Sequence, residues 1–537
     1  MSDNHKTELP QQGQVTRRQF LQTTAGALGL GVVGPALTRL GADPLAGRLL
    51  AKPAGAPRRG GTLKVALTGG SSTENLNPEN PEADPAIARA AQLCDTLMIY
   101  TPAFELEYAL AESVEPNADG SEWTIRLKDG VEFHNGKTLT ASDVIYTFQT
   151  IMNPKNPGAA ASRLATMDVA GMRALDSRTV KLPFHSPFSP MLPVLADAGT
   201  PCVRVIPEGF SLQHPVGTGP FKYQSFTPGV QSNFVRNDNY WRSGQPYVDN
   251  VIIIDINDDT ARSDALIGGE VDAIELLPNS EISTISTYSN LRLLISVTGG
   301  WNPFTMRVDK APFDDVRVRQ AFRLIANRPQ LITSVLDGQG VIANDLYGRY
   351  DPTYDHILPQ RQQDLDEAKS LLRQAGHGGM SIQLVTSDVA LGLVESAQVF
   401  AAQAAQAGVT VHVLNTTPTT FFSVYFLNSA FSQTYWATRD FLVQAADSML
   451  PTAPYNETHW HNDTWLKYVT EAFATVDATK QRELIHEAQT IEWNEGGYLN
   501  WGWFNEIDAY NSRVHGFVPD KAALGLTSYR FREVWLD

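Results

Sequence analysis

Residues 129 to 144 read DGVEFHNGKTLTASDV, and Gly136-Lys137-Thr138 has the residue types that hold nucleotide phosphates. A phosphate loop needs G-x-x-x-x-G-K-[ST], because successive backbone N–H groups wrap the phosphates while the lysine reaches their outer oxygens. Counting back from Gly136, the first glycine's place is held by Val131, which resists the positive φ such loops often demand. Nucleotide chemistry is therefore rejected. His459, His461 and Asp463 in HWHND alternate as ligands on one side of a strand would. The competing reading is a polar turn ahead of a helix, and no metal is assigned. Cys94 and Cys202 are the only cysteines, too few for a Cys-based zinc or iron–sulfur site, and either one disulfide or two buried thiols fits. No G-x-S-x-G elbow or H-E-x-x-H motif occurs, so no catalytic residue and no cofactor is assigned. Arg439 in YWATRDF has five donors in a fixed fork that suits a carboxylate or phosphate on a ligand. An ion pair with Asp440 or another acid is the structural alternative.

The elements that would position these residues are legible from periodicity. Trp123, Ile125 and Leu127 alternate on a strand, and the period continues in Val131 and Phe133 beyond a turn. Asn135-Gly136 is a second turn, placing Lys137 in solvent. Thr140 and Asp143 form a T-x-x-D cap for a helix whose apolar stripe is Val144, Ile145, Phe148 and Ile151. GGTLKVALT (residues 60–68) reads as a first strand and VDNVIIIDIND as a buried one. Beyond residue 313, DVRVRQAFRLIANRPQLITSVL is amphipathic, DLDEAKSLLRQAG is a capped helix ending at Gly376, and SIQLVTS is a strand. Such alternation signals a second α/β domain.

The 537 residues are too many for one core, and two or three domains are expected. The formal charge of -16 and the absence of a basic stripe exclude nucleic acid as a partner. Arg17-Arg18 precede Phe20-Leu21 and the apolar run of residues 25–37, which is too short to span a bilayer. This resembles a twin-arginine export signal, with processing expected between residues 42 and 58. Residues 1–42 carry four cations against two acids, so removing them leaves about -18. No later stretch approaches 18 uninterrupted apolar residues. No cysteine is placed to carry a lipid at the processed N-terminus, so a soluble, unanchored periplasmic protein is expected.

DGVEFHNGKTLTASDVIYTF, HPVGTGPFKY, NDNYW, GGEVDAI, PFDDVRVRQAF and EAKSLLRQAG occur in this order. Together they resemble the family 5 extracellular solute-binding proteins, the dipeptide, oligopeptide and nickel receptors of ABC importers. The resemblance covers residues 60–537 and implies an α/β, two-lobed periplasmic binding protein (type II-like, cluster C) with an extra subdomain in the first lobe. Lobe one would span residues 58–298 with the insertion around 85–210. Lobe two would span 299–500, and residues 501–537 would return to lobe one. Hinge closure, with no chemistry on the ligand, is the implied mechanism. The implied partners are a small organic solute (a peptide, an opine-like conjugate or another organic ligand) and the permease and ATPase complex at the inner membrane. A monomer is expected.

In peptide-binding members of that family an acid after a tryptophan holds the ligand's α-ammonium group. Aligning Trp436 with that tryptophan puts Arg439 at the acid's place, with Asp440 one residue beyond, so a carboxylate-bearing ligand competes with a peptide. By the same resemblance Ser71, Ser72 and Thr73 touch the ligand, and Trp301, Asn302, Tyr435, Trp436, Trp501 and Trp503 line the cleft. Core packing is the alternative for each aromatic. An exported periplasmic enzyme is the second function class.

Overall fold

The computed structural model describes residues 55–537 apart from 82, 197, 200 and 201. The expected export segment, with Arg17 and Arg18, lies outside the described residues.

The first strand, Thr62–Leu67, runs parallel to Asn250–Asp255 on one side and Ala273–Ile274 on the other. These three form the centre of an eight-stranded mixed sheet. Both faces of the first strand are covered. Leu63, Val65 and Leu67 enter a core shared with Phe221, Phe234 and Phe531, while Ala66 faces a second core with Leu266, Ile274 and Ile507. That two-sided burial is why the strand reads as an apolar run.

The helix Asp84–Leu93 packs on the first of these faces. HPVGTGPFKY earns its glycines here: a Cβ on Gly217 would lie 2.0 Å from the Leu93 carbonyl oxygen, and one on Gly219 would lie 2.3 Å from that of Gln92.

A four-stranded antiparallel sheet built from Ala111–Pro116, Glu122–Leu127, Thr179–Pro183 and Arg173–Ala174 packs against the helix Ala141–Ile151. The opening stretch lies at this junction as strand, turn and cap. Gly136 has φ +83, and Thr140 N and Oγ1 donate to Asp143 Oδ2 at 3.0 and 2.8 Å. Lys137 Nζ meets Asp143 Oδ1 at 2.5 Å, so the lysine is paired as well as solvated.

The remaining sheet has five strands, in the order Thr410–Thr416, Ser381–Ser387, Phe431–Gln433, Phe304–Met306, Tyr498–Leu499. Its core is aromatic, with Phe304, Phe313, Phe322, Phe400 and Phe431 in mutual ring contact. The amphipathic stretch after residue 313 is two helices, Val316–Ile325 and Arg328–Leu336. Asn327 caps the second by accepting from Gln330 N, and Pro329 cannot continue the first.

The chain is two-lobed. It passes from the eight-stranded to the five-stranded sheet at Trp301 to Phe304 and back at Leu499 to Gly502, and between these the strand Gly340–Ile342 also pairs into the eight-stranded sheet. The two passages are neighbours, because Trp301 pairs with Trp503 across antiparallel strands. Adjacent strand crossings with few residues between the bodies are the geometry of a hinge. Among the described residues no helix is long and apolar enough to cross a membrane.

Candidate functional site

In an open α/β sheet, ligands bind beyond the carboxyl ends of the parallel strands. At that edge of the main sheet the chain places four acids. Glu275 follows Ala273–Ile274, and it accepts from Thr68 N at 2.9 Å and from the Tyr529 hydroxyl at 2.7 Å. Asp508 accepts from Leu276 N at 3.3 Å and Leu526 N at 2.7 Å. Glu506 lies two residues earlier on the same strand and so projects to the same side. Asp84 opens its helix and lies beside the Tyr529 hydroxyl.

No lysine or arginine among the described residues forms an ion pair with any of these four. Arg262 comes near but spends its guanidinium on the Glu275 and Leu276 carbonyls and on Asp259. Burial, and for Asp508 also Asp84 and Asp520, raises the acids: Asp84 to about 6 and Asp508 to about 7. Glu275 and Glu506 are pushed well above the usual carboxylate range, first by burial and then by their acidic neighbours.

A turn of consecutive left-handed residues, Leu526 to Tyr529, closes over this cluster. Such a run is costly for L-residues and is held here by Asp508, by the Thr527 hydroxyl donating to the Val518 carbonyl, and by the Ser528 hydroxyl donating to Asp520. A Cβ on Gly525 would sit 2.8 Å from Glu275, so only glycine lets the turn approach this closely.

From the other lobe the segment Tyr435 to Asp440 comes near these acids through Tyr435, which feels the charge of Asp84. The Trp436 backbone exchanges two 2.9 Å hydrogen bonds with Trp301, fixing the segment beside the hinge. Thr438 ties it to the eight-stranded sheet and the C-terminal segment, accepting from Gly299 N at 2.9 Å and donating to the Lys521 carbonyl. Tyr435 is 44% exposed, and burial followed by the charges of Asp84 and Tyr455 raises its phenol. Tyr435 thus lies within electrostatic reach of the acid cluster. Rings continue from Trp436 to Tyr455, Phe426 and Phe422, with Tyr455 and Phe422 substantially exposed.

The residues singled out in the sequence divide by environment. Ser71, Ser72 and Thr73 form an exposed loop after the first strand, with Ser71 and Thr73 hydroxyls 2.9 Å apart. Asn302 is buried; its amide donates to the Leu391 carbonyl while its Oδ1 has no partner. Trp301 is buried against Tyr347 and Tyr498. Trp501 and Trp503 are buried in the lobe-two cores. Trp436 is buried too, and its Nε1 donates to Glu457 at 2.9 Å. Arg439 is buried with its guanidinium over the Trp436 ring and 3.7 Å from Asp447, while Asp440 accepts from the Tyr100 hydroxyl.

His459 and His461 lie in irregular chain ahead of the helix Asp463–Phe473 and meet different carboxylates, Asp309 and Asp463. Both cysteines are buried, and burial pushes the Cys94 thiol up to about 12. The four acids were missed in the sequence. Their available signal was the Glu506-Ile507-Asp508 alternation, which puts two carboxylates on one side of a strand.

The glutathione-binding protein GsiB of Escherichia coli O1:K1 is 24% identical over 486 residues, covering 85% of this chain and 92% of that protein. The fold matches the binding protein AgaA from A. tumefaciens R10, solved with agropinic acid. Its TM-score is 0.77 at 21% identity, covering 89% of this chain and 99% of that one. It also matches DppA from Helicobacter pylori, solved with the peptide STSA. There the TM-score is 0.76 at 21% identity, covering 89% and 98%. The exported-enzyme alternative finds no support among these relatives. Residues 105–463 match the profile of the bacterial extracellular solute-binding proteins, family 5 middle region, and with two lobes joined by paired crossings the chain belongs to that family of transport receptors.

Proposed function

We propose that the protein captures a small organic solute between its lobes in the periplasm and delivers it to an ABC permease and ATPase complex. The observation that carries this reading is the half-exposed Tyr435 of one lobe opposite the carboxyl edge of the other, beside adjacent hinge crossings. Residues 58–298 and 501–537 form one closing body and residues 299–500 the other. Tyr435, Asn302 and the 71–73 loop supply ligand contacts. Trp301, Trp436, Trp501 and Trp503 form the rigid wall behind them, and Arg439 and Glu457 hold Trp436 in place while Asp440 anchors the segment to Tyr100.

The relatives' ligands, glutathione, agropinic acid and a short peptide, support a peptide-like or opine-like solute. Arg17-Arg18 act as a twin-arginine export signal, and the exported chain is an unanchored monomer. Mass spectrometry of the solute released when protein from its native compartment is denatured tests the reading. The identified solute should stabilise the protein by about 2.7 kcal/mol at one hundred times its Kd and should contract the small-angle scattering envelope. Tight binding without contraction overturns closure, and a protein that never carries or binds a solute overturns the receptor reading.

A further inference from the structure

Glu506 is 4% exposed, yet among the described residues no donor hydrogen-bonds to it and no cation pairs with it. Its electrostatic neighbours are Asp508, Asp84 and Glu275, all acids. Structural roles account for the others: Asp508 holds two backbone amides, and Glu275 holds Thr68 N and Tyr529. Nothing comparable accounts for Glu506, and a buried carboxyl without a donor is costly when a neutral side chain of the same size would serve. Its position is at the carboxyl edge of the sheet, where open α/β sheets receive ligands, in the acid cluster whose Asp84 acts on Tyr435 of the other lobe.

We propose that the solute carries a cationic nitrogen, an amine or guanidinium on an apolar or aromatic body, which Glu506 receives together with Asp84, Glu275 and Asp508. This rests on the receptor reading above and names the class of its solute. A metal ion does not fit, because no group of three or more His, Cys, Asp or Glu side chains among the described residues converges as ligands would. A larger organic cation touches several separated carboxylates at once. Its body then meets Tyr435 and the exposed rings of Tyr455 and Phe422. Rings facing a cation add cation–π attraction to apolar contact.

Proton release follows from the same geometry. Glu506 is faced by Asp508 on its own strand, Glu275 at the end of the neighbouring strand, Asp84 on its helix and the Tyr529 hydroxyl on the turn, and Asp84 in turn acts on Tyr435 of the other lobe. Burial keeps protons on Glu506 and Glu275, and partly on Asp508, near neutrality, and an arriving cation displaces them.

The test uses the full exported chain, freed of retained solute, titrated calorimetrically with phenethylammonium and with its uncharged counterpart 2-phenylethanol at pH 7. Runs in phosphate and in Tris count the protons released. The ammonium should bind at least tenfold more tightly than the alcohol and release protons. Glu506→Gln should lose tenfold or more for the ammonium while its Tm holds or rises, and Glu275→Gln, which keeps an acceptor for Thr68 N and offers its NH2 to the Tyr529 oxygen, should weaken binding in the same direction. Equal binding of ammonium and alcohol, binding of neither, or unchanged affinity in Glu506→Gln overturns the proposal. The solutes retained from the native compartment separate the two readings: uncharged or anionic solutes end this inference and leave the receptor standing, whereas no solute at all removes the receptor reading itself.

Discussion

Glu457 fixes the Trp436 side chain, and replacing it gives a measurable change of known sign. Its Oε1 accepts from Trp436 Nε1 at 2.9 Å and from the Tyr498 hydroxyl at 2.7 Å, and the residue is 3% exposed. Burial pushes its carboxyl from 4.5 up to about 7, against the lowering effect of hydrogen bonds from Tyr498, Trp436 and Thr434. At about 1.4 kcal/mol per pH unit, ionising Glu457 in place costs roughly 3 kcal/mol more than ionising it in the unfolded chain. Because the folded value is the raised one, the native state holds its proton longer. The stabilisation is fully present below about pH 4.5 and is lost as pH rises through about 7.

Glu457→Gln keeps an acceptor for both donors and does not titrate. Relative to wild type, its stability should therefore rise by roughly 2 to 3 kcal/mol between pH 5 and pH 8. Glu457→Leu leaves the Trp436 and Tyr498 donors buried without an acceptor and should be less stable than the Gln variant at both pH values, by about 1 to 3 kcal/mol per donor. Urea unfolding followed by tryptophan fluorescence at the two pH values measures all three proteins. A wild-type to Gln difference that does not move with pH would refute the titration argument, and a Leu variant as stable as Gln would refute the anchoring role.

Gly217→Ala pushes a methyl group into the Leu93 carbonyl and, at 2.5 Å, the Cys94 sulfur. It should destabilise the protein by about 1 to 3 kcal/mol or more, read in the same urea assay, and a neutral effect would show that the helix end can shift. Arg439→Ala should lower the Tm of the unliganded protein, since the guanidinium packs between Trp436 and Asp447, while affinity for the identified solute changes by less than about 1 kcal/mol. A loss of about 2 to 5 kcal/mol in affinity would instead make Arg439 the partner of a ligand anion. Replacing Arg17 and Arg18 with lysine keeps the charge and removes the guanidinium pair, so precursor should accumulate in the cytoplasm. Normal export of that variant would show that the general secretory route suffices.

Local interactions were readable from the chain alone. Thr140 and Asp143 form their cap within four residues, Trp123 and Ile125 alternate into the core, and Gly136 supplies the turn, because each depends on neighbours in sequence. The break of one amphipathic stretch at Asn327 was also written there, in an Asn-Arg-Pro that both caps and interrupts a helix. Order along the chain carried the family resemblance, and with it the expectation of two lobes.

The acid cluster could not be found this way. Asp84, Glu275 and Glu506 are separated by hundreds of residues and meet only because parallel strands bring their carboxyl ends to one edge while the C-terminal segment returns to the same sheet. Arg439 shows the same limit from the other side. Its residue type fits a ligand carboxylate and a structural ion pair equally well, and only folding puts the Trp436 ring beneath it and Asp447 beside it. Backbone periodicity and caps are fixed over a few residues, whereas the electrostatics of a buried group depend on which distant side chains exclude water around it.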